Sequence, residues 1–177
     1  MWRLLVEDNM GNFYTDVLMK DPRFHSPDKC ADIMLLEPGF RAKMLHFVSL
    51  AEAARHHVSI LETYRSRARQ LQLWTQHATE LKEVGVHGYG LACDFALYVN
   101  GVYDPKGQDY MSFVALAQAD DVLSGINWGE PHEAHGFKDY DHLQGVPLFR
   151  QAALFAGTWY PTPDYSPWAD EQAHGVS

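Results

Sequence analysis

Val84-Gly85-Val86-His87-Gly88-Tyr89-Gly90-Leu91-Ala92-Cys93-Asp94 is the stretch around which the chain is organised. A glycine-rich turn separates His87 from Asp94, and the apolar run Phe95-Ala96-Leu97-Tyr98-Val99 continues from it, as when a turn delivers a strand. Adjacent side chains on a strand point to opposite faces, so Cys93 is expected in the core with Leu91 and Phe95 while Asp94 faces the other way. A second polar cluster reads Phe137-Lys138-Asp139-Tyr140-Asp141-His142-Leu143-Gln144. If 140–144 is extended, Tyr140, His142 and Gln144 share a face and Asp141 points away; Asp139 reaches the His142 side if the chain turns between them. Two imidazoles and a carboxylate suit zinc, and three protein ligands leave the fourth position of a tetrahedron to water. Each residue alone has a plainer reading: a loop histidine is commonly solvated, and an aspartate after a glycine turn is commonly a cap. The pairing of the two clusters is what raises the metal reading.

The ordered pattern is more specific than the ligand types. It runs His-x-x-Gly-x-Ala-x-Asp at 87 to 94, then Trp128-Gly129, then Asp-x-x-His at 139 to 142, with Thr63-Tyr64-Arg65-Ser66, Gln70 and Leu73-Trp74 upstream. This pattern resembles the zinc peptidases of the D,D-carboxypeptidase and L-alanyl-D-glutamate endopeptidase family, whose fold is shared with the Hedgehog amino-terminal domain, and within it the phage endolysin-like branch. The resemblance covers about residues 40 to 150. It implies one zinc per chain held by His87, Asp94 and His142, Asp139 as catalytic acid/base, Arg65 near the substrate, and Gln70 as a weaker neighbour of it. The family commonly carries serine two positions before the first histidine; here that position is Gly85. The implied substrate is the peptide stem of peptidoglycan, cut between L-alanine and D-glutamate, because Asp rather than Glu stands in Asp-x-x-His. The alternatives are a D,D-carboxypeptidase or dipeptidase of the same family and a non-catalytic zinc-binding interaction domain.

Composition narrows the partners. The 177 residues suffice for a single domain with its own core, at 46% apolar and 21% charged. A formal net charge of −9 without a Lys/Arg stripe argues against nucleic acid. No run approaches the roughly 18 apolar residues of a membrane span. The opening Met1-Trp2-Arg3-Leu4-Leu5-Val6-Glu7-Asp8 turns acidic too early for a secretory signal, so the expected protein is a monomer made in the cytoplasm that acts on the wall after release. Cys30 and Cys93 are too few for a disulfide framework.

Along the chain, residues 1–37 are expected to be irregular with one short helix, since Pro22, Pro27 and Pro38 interrupt longer elements. Phe40, Met44, Phe47, Val48, Ala51 and Ala54 predict a helix from Pro38 to about His57. Val58 to Tyr64 reads as a strand, and Arg67 to about Lys82 as a helix burying Leu71, Trp74, Ala78 and Leu81. Asn100-Gly101 is a two-residue hairpin turn. A helix from Gln108 to about Leu123 is expected to bury Met111, Val114, Ala115 and Ala119, with a short strand at Ile126-Asn127-Trp128. A last short helix spans Pro147 to Ala156, and 157–177 reads as an irregular tail. His132-x-x-His135 is a rival zinc pair, and Asp141 a rival to Asp139. The expected fold class is α+β: a small, mostly antiparallel sheet with flanking helices and zinc at the sheet edge.

Overall fold

The computed structural model describes residues 12–104, 110–130 and 136–174. Among the described residues, six short-to-medium α-helices flank a five-stranded antiparallel sheet, the α+β arrangement anticipated above. α1 (Phe13–Asp16) and α2 (Pro38–Ala53) precede β1 (His57–Glu62); α3 (Arg67–Thr75) precedes β2 (Ala92–Val99) and β3 (Val102–Asp104). α4 (Met111–Ala119), β4 (Leu123–Ser124) and β5 (His142–Gln144) follow, then α5 (Gln151–Phe155) and α6 (Pro167–Ala173). The strand order is β1-β2-β5-β4, with β3 also paired to β2. Among the described residues, no helix is long and apolar enough to cross a membrane.

Local chemistry explains the elements nearest the site. Pro38 occupies the first turn of α2 and the Glu37 carboxylate accepts from Phe40 N at 2.8 Å. The stripe Phe40, Met44, Phe47 and Ala51 is buried, as the periodicity requires. Asn100 and Gly101 both have positive φ, 51° and 79°, the conformation that lets a two-residue turn join β2 to β3 with the native twist. The core face of β2 meets α2 and α4 in an aromatic cluster: Phe95 lies 5.2 Å from both Phe47 and Phe113 by ring centroid. Each such ring contributes on the order of 1.5–3 kcal/mol by leaving water. Cys93 is buried beside Leu91 and Phe95, and Asp94 emerges on the other face.

Three expectations are corrected. α3 ends at Thr75, not near Lys82, because His77 turns the chain with φ 57°. Its only buried residue is Gln70; Leu71, Trp74 and Leu81 are 44%, 38% and 41% exposed. α4 is rotated from the predicted face. Phe113 and Ala117 point inward whereas Met111 is exposed, since the large ring outcompetes the smaller apolar side chains for the space beside Phe95. Ile126 to Trp128 is turn rather than strand, and pairing falls on Leu123–Ser124 instead.

The tail is not irregular throughout. Ser166 caps α6 through Ala169 N and donates to Asp121, Arg150 makes a two-point ion pair with Asp170, and Pro167 and Glu171 are buried. Deleting residues 163–177 is therefore expected to lower the melting temperature by about 5–10 °C, equivalent to roughly 2–3 kcal/mol in a chain of this size. Calorimetry checks this; an unchanged transition would mean that α6 adds nothing to the domain.

Candidate metal centre

Asp94 on β2 and His142 on β5 are direct Cα partners in an antiparallel pair, so their side chains leave the sheet side by side on one face. His87 arrives from the one-turn 3-10 helix Val86–Tyr89 just before β2. That turn can close because Gly90 sits at φ 71°, and a Cβ there would lie 2.7 Å from the Leu35 carbonyl oxygen. The structure thus brings together the three residues singled out in the sequence. His87 Nε2, Asp94 Oδ1 and His142 Nδ1 lie 3.1, 3.2 and 2.9 Å from one another (87–94, 87–142 and 142–94).

The outer hydrogen bonds decide what these atoms present. His87 Nδ1 faces the Thr63 carbonyl at 3.1 Å, which can only accept, so the hydrogen of the neutral ring sits on Nδ1 and the Nε2 lone pair points inward. Gln144 Nε2 donates to the Val146 carbonyl at 2.5 Å, which leaves Oε1 facing His142 Nε2 at 3.0 Å. That places the second ring's hydrogen on Nε2 and its Nδ1 lone pair inward. Arg65 Nη2 holds the outer carboxylate oxygen of Asp94 at 2.9 Å, turning Oδ1 to the centre. Three lone pairs converging in a buried pocket repel unless a proton or a cation lies among them. The edges of a tetrahedral zinc site with bonds of about 2.0–2.1 Å measure about 3.3–3.4 Å, close to these separations. The residues fit a divalent ion of this kind.

Electrostatics point the same way. Burial pushes the His87 imidazole below its ordinary range. Burial also opposes charge on His142, yet its hydrogen bond to Asp94 and that carboxylate's charge lift it above the usual value. Asp94, despite desolvation, is held well below the carboxylate range by His87, His142 and Arg65. The ion-free centre therefore keeps a proton on His142 beside ionised Asp94, where a cation would otherwise sit. Binding a divalent ion must expel that proton, so affinity should fall as pH drops below the raised His142 value and level off above it. We expect zinc affinity to be about tenfold or more weaker at pH 5.5 than at 7.5, with about one proton released per ion in calorimetry at acid pH. A flat profile over that range would contradict the proton's location.

Around the centre lies a cleft of about 360 Å³. Leu73, Ala78 and Leu81 form an apolar wall; Asp139, Asp141 and Trp128 lie in the lining, Trp128 edge-on to His142 at 5.2 Å. Asp139 N–H donates to the Gly125 carbonyl at 3.0 Å, and a Cβ at Gly125 would lie 2.9 Å from Asp139 Cβ. Glycine at 125 thus lets the Asp139 segment fold against the turn after β4. Burial, and then the charges of Asp94 and Asp139, raise the Asp141 carboxyl to about 7. Gln70 is also in the wall, where its amide nitrogen holds Leu81 O at 2.5 Å and Thr79 Oγ1 at 3.2 Å. A side chain at Gly85 would meet Gln70 Oε1 at 3.3 Å, so the wall is closely packed there.

Two residues of the site were missed in the sequence. Glu62 is buried and ties Arg65 and Arg69 together, with Arg65 Nη2 at 2.5 Å and Arg69 Nε at 3.1 Å. A bulge between Ile60 and Glu62 makes Glu62 rather than Leu61 the partner of Asp94, which alternation alone does not anticipate. Its signal was the charge spacing Glu62, Arg65, Arg69. Gln144 is the other, legible only from its place two residues after His142. His132 and His135 lie outside the described residues.

No protein-family model matches the chain, and no curated protein matches it. Among solved structures it is similar to the Serratia marcescens L-Ala D-Glu endopeptidase ChiX, at 19% identity and a TM-score of 0.49 over 73% of this chain and 98% of that one. It is similar to the LD-carboxypeptidase LdcB at 14% identity and a TM-score of 0.49, over 69% of this chain and 64% of that one. It is also similar to the L,D-carboxypeptidase DacB of Streptococcus pneumoniae at 16% identity and a TM-score of 0.46, over 69% and 72% of the two chains.

Proposed function

We propose that the protein is a zinc-dependent endopeptidase of the peptidoglycan stem, cutting between L-alanine and D-glutamate. The observation that carries this reading is the convergence of three oriented lone pairs, from His87, Asp94 and His142, at the floor of a cleft that also holds Asp139. The motif resemblance supplies the substrate class. Zinc bound by the three residues would polarise the scissile carbonyl and make an adjacent water acidic.

The chain's own groups do the rest. Asp139 takes the proton of the attacking water and returns it to the leaving amine, the part of a general base and then a general acid. Asp141, raised to about 7, carries a proton at slightly acid pH and hydrogen-bonds Asp139. Arg65 holds Asp94 in place while its positive charge lines the cleft beside the developing oxyanion. Gln70 keeps the 79–85 wall closed against the site. Leu73, Ala78 and Leu81 offer a shallow apolar surface suited to an alanyl methyl.

The bond assignment rests on the motif, in which Asp rather than Glu stands in Asp-x-x-His at 139 to 142. Among the described residues lining the cleft, Arg65 is the only Lys or Arg, and its Nε and Nη2 are engaged by Glu62 and Asp94. Mass spectrometry of digested muropeptides tests the bond. Stem peptides beginning with D-glutamate are expected. Free D-alanine with the L-alanyl-D-glutamate bond whole would overturn the reading in favour of a carboxypeptidase.

A further inference from the structure

We infer that Gln144 is a positioning residue that fixes which nitrogen of His142 faces the ion. The inference rests on His87, Asp94 and His142 being the ligand set, but its test does not depend on catalysis.

An isolated imidazole can carry its hydrogen on either nitrogen, and here the two choices have opposite consequences. With the hydrogen on Nε2, His142 offers a lone pair at Nδ1, 2.9 Å from Asp94 Oδ1 and 3.2 Å from His87 Nε2. With it on Nδ1, the ring would donate into the centre and the site would lose one of its three ligand atoms. Something must choose, and Gln144 is placed to do so. It is 1% exposed and its Oε1 lies 3.0 Å from His142 Nε2. Its amide cannot turn over, because that would set Oε1 against the Val146 carbonyl now bonded at 2.5 Å. The acceptor facing His142 is therefore determined by a backbone carbonyl, through a side chain with no freedom of its own. β5 supplies the geometry: His142 and Gln144 are two residues apart on a strand and share the Asp94 face. His87 is fixed from outside too, but by the Thr63 main chain, which no substitution removes. Gln144 is thus the clamp on the two histidines that mutation can reach.

The test reads the nitrogens directly. Long-range 1H–15N spectra of the zinc-loaded protein should show His142 protonated at Nε2 and His87 at Nδ1, with the other nitrogen of each ring on the ion. Gln144→Leu, which keeps the size but not the acceptor, should let either nitrogen of His142 bind the ion and weaken zinc binding about 10–100-fold in chelator competition. Gln144→Glu presents an acceptor to Nε2 whether ionised or not, and should restore the single tautomer and most of the affinity. Coordination of the ion through Nε2 of His142 in the unaltered protein would overturn the inference, which keeps it testable even if Gln144→Leu does not fold. So would a Gln144→Leu protein with the tautomer and affinity unchanged. A protein that binds no zinc would refute the metal site itself and this assignment with it, whereas zinc bound through His142 Nε2 would refute the assignment alone.

Discussion

His142→Ala is expected to weaken zinc binding on the order of 10²–10³-fold, and Asp94→Ala similarly. Closed structural zinc sites are worth about 10–16 kcal/mol over four ligands, so losing one of three ligands here should cost several kcal/mol. The loss should exceed that of any outer-sphere variant because the two remaining donors no longer enclose the ion. In the ion-free protein His142→Ala has a second effect: it removes the protonated partner that keeps Asp94 ionised in a buried setting. Asp94 is then left with Arg65, which it shares with Glu62. Asp94→Asn separates the two effects, since it lowers metal affinity without leaving a buried charge. Zinc content after dialysis, with affinity by chelator competition, checks these outcomes. The comparison variant is His132→Ala. Retention of zinc in His142→Ala with loss in His132→Ala would move the site to the 132–135 pair.

Asp139→Asn should keep fold and zinc yet lose turnover by about 10²-fold or more, because an amide cannot take the water's proton. Asp141→Asn should cost much less, since an amide can still donate to Asp139 in place of the protonated carboxyl. Burial and the neighbouring carboxylates hold the Asp141 carboxyl near 7, so it is mostly protonated below that pH and ionised above it. The sign for stability follows. A raised acid contributes most below its unfolded value and loses that contribution as pH climbs through the window up to about 7. Asp141→Asn should flatten that decline in the ion-free protein. A nearby divalent ion would pull the Asp141 value down and shrink the effect, so the metal-free and zinc-loaded proteins should differ. Turnover measured with the metal content of each variant ranks the two residues. The reverse ranking would make Asp141 the base.

His87, Asp94 and His142 were singled out through the motif resemblance, and the geometry that brings them together is short-range. A glycine turn followed by a strand puts His87 and Asp94 together, and the strand parity that buries Cys93 turns Asp94 outward. Pairing Asp94 with His142 needed only the second cluster on an adjacent antiparallel strand. The α2 stripe and the Asn100-Gly101 turn were equally local. What alternation and periodicity could not give was anything set by tertiary competition. The bulge that turns Glu62 toward Asp94 shifts a register, and no residue type marks it. The α3 segment carries a plausible apolar stripe, but Gln70 rather than Leu71 or Trp74 is what the wall requires, and the surplus apolar side chains stay in solvent. α6 escaped notice because its anchors, Ser166 on Asp121 and Asp170 on Arg150, are polar pairs between distant parts of the chain.

Release of new amino termini from purified peptidoglycan, with and without a chelator, tests the central claim most directly. Release by the untreated protein, its loss with the chelator, and its return on adding zinc back to the dialysed sample are expected. Peptidoglycan that is bound but never cleaved, or cleavage that the chelator does not touch, would contradict it.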